Sequence, residues 1–372
     1  MASRAILAAG LLLTSASAAA LPAEPVPWLS GLRFPVAMAW APDGTLFFAE
    51  KEVGNVRMVV DGTLVPEPVA HVDVFVSFET GLLGLAVHPE WPDEPWLYLY
   101  FSDPADGINR LIRIRIEEGV EVHRETLFER IATSSFHNGG ELLFGPDRML
   151  YLTTGDATEE DPSQDPSDPR GKVLRFTPDG SIPADNPIPS TPTYTLGHRN
   201  SFGLCVDPAT GDLWETENGE PVEELNRLVA GGNYGWPIGQ GPLRRDRFRD
   251  PVTTLNEAAP TGCAVWNDAV YFGTYSRGEL VRWPLDRAGA RVEIVASFDG
   301  PVYDVSEGPD DRLYISTGDR IWTLASRPDA AGTLDPAEGG ADRSNPPWLF
   351  LSVAAVLALS LIATLLFAAR RR

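Results

Sequence analysis

Residues 37–49 read Ala-Met-Ala-Trp-Ala-Pro-Asp-Gly-Thr-Leu-Phe-Phe-Ala: a small apolar strand, a Pro-Asp-Gly turn and an aromatic strand. The phrase returns as Leu82-Leu-Gly-Leu-Ala-Val-His-Pro89 leading to Trp96-Leu-Tyr-Leu-Tyr100. A third copy is Glu141-Leu-Leu-Phe-Gly-Pro-Asp147 with Leu150-Tyr-Leu-Thr153, and a fourth is Gly203-Leu-Cys-Val-Asp-Pro208 with Asp212-Leu-Trp214. The fifth and sixth are Gly262-Cys-Ala-Val-Trp-Asn-Asp268 with Val270-Tyr-Phe272, and Asp304-Val-Ser-Glu-Gly-Pro-Asp310 with Leu313-Tyr-Ile315. Spacings of about 40 to 60 residues suit a four-stranded blade, because each strand takes ~5 residues and turns consume the rest. A third strand follows in several copies and often carries Arg: Val56-Arg57-Met-Val, Leu111-Ile-Arg-Ile-Arg115, Lys172-Val-Leu-Arg-Phe176 and Leu280-Val-Arg-Trp283. Apolar and polar residues alternate along these strands, which predicts one face of each in a blade-to-blade interface. The expected fold is all-β, a six-bladed β-propeller, followed by a C-terminal single transmembrane helix.

The two ends differ as an export signal and a stop-transfer helix differ. Residues 1–20 carry one charge, Arg4, then an apolar run and Ala18, Ala19 and Ala20, the pattern of a cleaved signal peptide. Residues 347–369 include an uncharged stretch from Trp348 to Ala369, long enough to cross a hydrocarbon core of ~30 Å. Arg370, Arg371 and Arg372 form a basic tail that the positive-inside bias keeps cytoplasmic. Residues 21–325 are the propeller, and 326–346, rich in Ala, Gly, Pro and Asp, read as a disordered linker. The expected location is the cell membrane, single-pass, with the propeller on the extracytoplasmic side. A formal net charge of −22 argues against a nucleic-acid or anionic-lipid partner. Cys205 and Cys263 are the two cysteines; an exported chain permits a bridge, and a pair of buried thiols fits the spacing equally well.

Propellers place ligands where loops from all blades converge on the channel, so loops that break the repeat are the ones to search. Ser134-Ser-Phe-His-Asn-Gly-Gly140 presents His137 ahead of an inner strand, with two glycines that allow close backbone approach. Such a loop is either a catalytic one or a structural turn; His88, in its His-Pro turn, reads as structural. Thr195-Leu-Gly-His-Arg-Asn-Ser-Phe-Gly203 sets the Arg199 guanidinium beside the Asn200 amide, a pair suited to a carboxylate or a developing oxyanion, or to capping a turn. Glu215-Thr-Glu-Asn-Gly-Glu-Pro-Val-Glu-Glu-Leu-Asn226 packs enough oxygen ligands for a hard cation, or is a solvated acidic loop.

Taken in order, residues 137–147, Gly-Lys-Val-Leu-Arg-Phe-Thr-Pro-Asp-Gly-Ser-Ile-Pro-Ala-Asp-Asn-Pro at 171–187, Gly-His-Arg-Asn at 197–200 and Gly-Gly-Asn-Tyr-Gly-Trp-Pro at 231–237 closely resemble the quinoprotein sugar dehydrogenases of the soluble glucose, aldose and sorbosone dehydrogenase family. The resemblance runs from about Leu29 to Leu324. It implies pyrroloquinoline quinone (PQQ) over the channel with Ca²⁺ beside it, and oxidation of an aldose at its anomeric carbon, the electrons passing to an acceptor that the sequence does not name. His137 matches the catalytic base; Arg199 and Asn200 match the pair at the quinone oxygens, with Arg199 also stabilising developing charge. Glu79 falls where a polar residue meets the sugar. Asn218, Gly219 and Glu220 match calcium ligands at the cofactor, and Glu224 and Tyr234 match a second calcium position.

The sequence also departs from the family. Where the glucose-oxidising branch has a lysine before Arg-Gly, this chain has Ser276 before Arg277 and Gly278. Two arginine positions align with Pro301 and Tyr303, a stacking tryptophan with Leu255, and the acidic neighbour of the histidine with Phe136. Arg277, or the cluster Arg244, Arg245, Arg247 and Arg249, offers replacement charge for the cofactor carboxylates. The alternative is a noncatalytic cell-surface propeller that binds a glycan or a protein after losing the cofactor site.

Overall fold

The computed structural model describes residues 24–285 and 289–325. The signal peptide, linker, transmembrane helix and basic tail read from the sequence lie outside these residues. Among the described residues no helix is long and apolar enough to cross a membrane.

These residues form six antiparallel sheets, and the first strand of each repeated phrase lies at one edge of its sheet. The inner strands are Pro35–Trp40, Leu82–Val87, Leu142–Phe144, Ser201–Val206, Pro260–Trp266 and Asp304–Glu307, the first halves of the six repeated phrases. We number the blades 1 to 6 in that order. The phrase persists because its turn and its aromatic strand hold each other. Gly44, at φ 88°, closes the first turn, and Thr45 N–H donates to Asp43 Oδ1 at 3.0 Å. In blade 3 the Tyr151 hydroxyl donates to Asp147 Oδ2 at 2.8 Å, and Tyr314 repeats this with Asp310 in blade 6 at 3.0 Å. Blade 6 is completed by a strand from the front of the chain: Val26–Ser30 pairs antiparallel with Arg320–Ala325, Val26 opposite Thr323 and Ser30 opposite Arg320. This clasp makes the ring circular without a covalent join.

Second strands such as Leu46–Glu50, Leu150–Thr154 and Ala269–Thr274 are buried along their whole length, because each is sandwiched between two neighbouring blades. Third strands vary. Ile108–Glu117 in blade 2 alternates as expected, but Lys172–Phe176 in blade 3 is buried on both faces, which corrects the expected alternation there. The cause is the long loop before it, which folds over the strand. The Lys172 ammonium donates to the carbonyls of Pro162, Ser163 and Arg170 at 2.8, 3.1 and 2.6 Å, and burial pushes its pKa down to about 7.

Cys205 and Cys263 form a disulfide joining the inner strands of blades 4 and 5, which resolves the choice the sequence left open. His88 packs against Tyr98 and Phe144 and its Nδ1 accepts from Glu90 N–H at 3.2 Å, a structural role as expected.

The inner strands surround an axial cavity of about 460 Å³, lined near the ends of those strands by Trp40, His88, Val206 and Glu307. Glu141 and Asp304 face it. Asp304 accepts from Met38 N–H and from Val305 N–H, both at 2.7 Å, yet burial still raises its pKa from 3.8 to about 7. Burial and the neighbouring Asp304 raise Glu141 as well. The folded state thus holds protons that the unfolded chain releases near pH 4, so this stabilisation is complete below about pH 4 and is lost as pH rises through about 7. Glu141→Gln removes one of the two charges. Thermal unfolding followed from pH 4 to 8 is expected to show the parent losing on the order of 1–3 kcal/mol more than the variant; parallel curves would show that the pair does not titrate in this window.

Candidate functional site

Loops that precede the inner strands meet at the other end of the channel. Glu79 lies before blade 2, His137 before blade 3, and Arg199 and Asn200 before blade 4. Gly139, at φ 63°, is needed here, since a Cβ would sit 2.7 Å from Thr154 Cα. It lets the His137 loop lie against blade 3, where Gly139 N–H donates to Asn200 Oδ1 at 3.2 Å. The His137 backbone itself is left-handed, at φ 60°, held by its own N–H donating to Glu79 Oε2 at 2.6 Å and by its carbonyl accepting from Ala157 N–H at 3.1 Å.

Four residues thereby share one hydrogen-bonded frame. Glu79 Oε2 also accepts from Asn200 Nδ2 at 3.2 Å, so Glu79, His137 and Asn200 are tied across three blades. His137 Nδ1–H donates to Asp156 Oδ1 at 2.7 Å, with the Asp156 side chain 1% exposed and that of His137 16%. Asp156 is fixed in turn by the Trp236 indole N–H at 2.9 Å, by Thr158 N–H at 2.8 Å, and through its own N–H to the Arg199 carbonyl at 2.7 Å. Nδ1 therefore keeps its proton, and Nε2, which makes no hydrogen bond to the described residues, is left to take one.

Arg199 lies on the same side. Its backbone N–H donates to Glu217 Oε1 at 2.7 Å; its guanidinium donates to the Asn218 carbonyl at 3.2 Å and to Glu220 Oε2 at 3.1 Å and lies 5.5 Å from the Trp236 ring centre. Asn218 N–H donates to the Asn200 carbonyl at 2.9 Å, carrying the frame into the acidic loop. Four buried oxygens in that loop lack hydrogen-bond partners, Glu215 Oε1, Asn218 Oδ1, Glu223 Oε2 and Asn226 Oδ1, and Gln240 Nε2 in the following loop lacks one as well. Such atoms cost ~1–3 kcal/mol each unless a ligand or ion meets them. The carbonyls of Gly219 and Glu220 accept no hydrogen bond from the described residues.

Other expected residues are held elsewhere. The Arg277 guanidinium donates to the carbonyls of Asn256 and Glu257, and no contact joins it to the frame around His137. The Tyr234 hydroxyl donates to the Arg227 carbonyl at 2.8 Å and accepts from Val229 N–H at 3.0 Å. Glu224 accepts from Gly241 N–H at 2.6 Å and from Asn226 Nδ2 at 3.2 Å; burial raises its pKa to about 8. No contact joins Glu224 to Tyr234 among the described residues. The structure instead gathers His198, Glu215 and Glu217, whose potential ligand atoms lie within 4.8 Å of one another. Burial raises both carboxyls to about 8 and lowers His198 to about 4.

Asp156 and Trp236 complete the site without having been singled out from the sequence. Asp156 stands in Gly155-Asp156-Ala157, directly after a blade-3 strand that ends at Thr154, where a carboxylate points across the channel mouth; that position was its signal.

A propeller with an oriented imidazole, a guanidinium and unpartnered loop oxygens at its mouth defines a ligand-processing site rather than a plain scaffold. The model of the glucose/sorbosone dehydrogenase family matches residues 32–324, and the chain belongs to that family. It is 33% identical over 249 residues to quinoprotein glucose dehydrogenase B of Acinetobacter calcoaceticus, covering 56% of this chain and 51% of that protein. It is 25% identical over 327 residues to an aldose sugar dehydrogenase of Escherichia coli, covering 77% and 87%. The PQQ-bound aldose sugar dehydrogenase of Streptomyces coelicolor superposes with a TM-score of 0.76 at 32% identity, covering 82% of this chain and 99% of that one.

Proposed function

We propose that this protein is a PQQ-dependent sugar dehydrogenase, anchored in the cell membrane with its propeller outside, that oxidises an aldose at the anomeric carbon. The observation that carries the reading is the His137–Asp156 pair, set in one frame with Glu79, Arg199 and Asn200. PQQ, when bound, supplies a two-electron acceptor for the hydride on that carbon. His137 Nε2 takes the proton of the anomeric hydroxyl, and the Asp156 carboxylate stabilises the imidazolium that forms. Glu79 Oε1, which makes no hydrogen bond to the described residues, accepts from a second sugar hydroxyl and orients the ring. Arg199 would offer the cofactor's carboxylate or quinone oxygens a fixed positive charge, and Asn200 a neutral donor beside it. Asn218 Oδ1 with the carbonyls of Gly219 and Glu220 suits Ca²⁺, a hard cation that prefers oxygen ligands. Glu224 and Tyr234 are the family-derived pair for a second calcium, and Arg277 is the cation closest in sequence to the lost lysine position.

Location outside the membrane rests on the two end segments of the sequence, and the disulfide supports it, since such bridges persist in oxidising compartments.

The test is to add PQQ and CaCl₂ to the detergent-solubilised full chain and follow dye reduction with a panel of aldoses. Substrate-dependent reduction is expected, and Arg199→Met is expected to weaken PQQ binding at least about tenfold by absorbance titration. A second reading, a noncatalytic glycan- or protein-binding propeller, is favoured by Ser276, Pro301 and Tyr303 at former cation positions. Absence of PQQ binding at micromolar concentration would decide for it.

A further inference from the structure

Two loops beside His137 are fastened together, and each raises one phenylalanine. Glu79 N–H donates to the Ser135 carbonyl at 2.9 Å, and the Ser77 and Ser135 hydroxyls pair at 3.1 Å. Lys51 Nζ donates to the Phe78 carbonyl at 3.0 Å, and Ser77 N–H to Thr80 Oγ1 at 2.6 Å. On this rigid support the Phe78 and Phe136 rings stack on each other, centroids 4.7 Å apart and planes 21° apart. Yet Phe78 is 66% exposed and Phe136 41%. Phe78 directly precedes Glu79 and Phe136 directly precedes His137, so the stacked pair stands at the rim of the site.

Burying these rings in the core would have stabilised the fold; leaving them out on a pinned support needs another reason. The same loops carry oxygen-bearing groups: Glu79 next to Phe78, and in the His137 loop the half-buried Ser134, whose hydroxyl lies 3.3 Å from that of the exposed Thr158. A rigid apolar face with a polar fringe complements a pyranose ring, whose C–H face is apolar and whose edge is hydroxylated. Phe75 and Val76 on the same loop are exposed as well.

We propose that Phe78 and Phe136 form a stacking platform for the second ring of an oligosaccharide whose reducing-end ring sits at His137. This deepens the sugar dehydrogenase reading and rests on it: the site selects oligosaccharides over free monosaccharides. Because the support is tied by four hydrogen bonds, little conformational entropy is lost when the second ring docks.

The experiment compares kcat/KM for glucose, maltose, maltotriose, cellobiose and cellotriose in the PQQ- and Ca²⁺-loaded full chain, the Phe78→Ala/Phe136→Ala double variant and the Phe78→Tyr/Phe136→Tyr variant. The oligosaccharide-to-glucose ratio is expected to fall about tenfold in the alanine variant, as for losing ~55 Å² of apolar contact, and to be restored by tyrosine. An unchanged ratio overturns the proposal, as does a change confined to the KM of the electron acceptor, which would make the rings an acceptor-docking surface. Saturation-transfer NMR on the unloaded chain separates the two levels of inference. Transfer from aromatic protons to oligosaccharide, lost in the alanine variant, upholds the platform even where no sugar is oxidised. Oxidation of glucose with no such transfer upholds the dehydrogenase and removes the platform.

Discussion

The His137→Ala variant is expected to lose about 10²- to 10⁴-fold in kcat for sugar oxidation, the range that a positioned general base supplies, while still binding PQQ. The prediction is this large because the imidazole is prepared before substrate arrives. Asp156 fixes the tautomer, Trp236 and Thr158 fix Asp156, and Glu79 fixes the backbone of the histidine itself. Asp156→Asn should lose a comparable amount, since an amide can donate to Nδ1, which moves the ring proton to Nε2, and it no longer stabilises the cation. Stopped-flow reduction of bound PQQ by sugar measures the step directly. A His137→Ala protein that reduces the cofactor at the parental rate would place the base elsewhere.

The second large effect is on stability. The Cys205–Cys263 bridge closes a segment with a sequence separation of 58 residues, for which loop-closure entropy gives about 4 kcal/mol. The Cys205→Ala/Cys263→Ala variant is expected to unfold at markedly lower denaturant concentration, with chemical denaturation of the oxidised parent as reference. The bridge joins inner strands of blades 4 and 5 next to the axial cavity, so its loss loosens the part of the ring whose opposite end carries Arg199 and the acidic loop. Equal midpoints for variant and parent would show that blade packing alone fixes that interface.

The architecture was legible because one phrase carries its own reason for recurring. An aspartate in the turn and a tyrosine four residues later form a hydrogen bond in blades 3 and 6, so local chemistry and repeat coincide. Closure by Val26–Ser30 was not legible, since that strand contains no turn phrase and acquires its partner only when both ends of the chain meet. The site divides in the same way. His137, Arg199 and Asn200 stand in glycine-flanked loops that break the repeat, and the structure brings them together with Glu79 and Asn218. Asp156 was missed because the family comparison drew attention to position 136, where Phe136 replaces an acidic neighbour of the histidine, whereas the carboxylate that meets the ring comes from a loop 19 residues away. The pairing of Glu224 with Tyr234 came from family resemblance, and the side chains around them spend their hydrogen bonds separately.

Because the outermost strand of blade 6 is made of the first described residues and its neighbour of the last, the toroid cannot seal until synthesis has passed Ala325. Up to that point five blades and part of a sixth present open edges, and such long-range strand pairing is slow. Both halves of the final seam, Val26–Ser30 and Arg320–Ala325, must be on the same side of any barrier before either can pair. The chain's two ends then leave the ring from adjacent strands, so that whatever holds one end also positions the other.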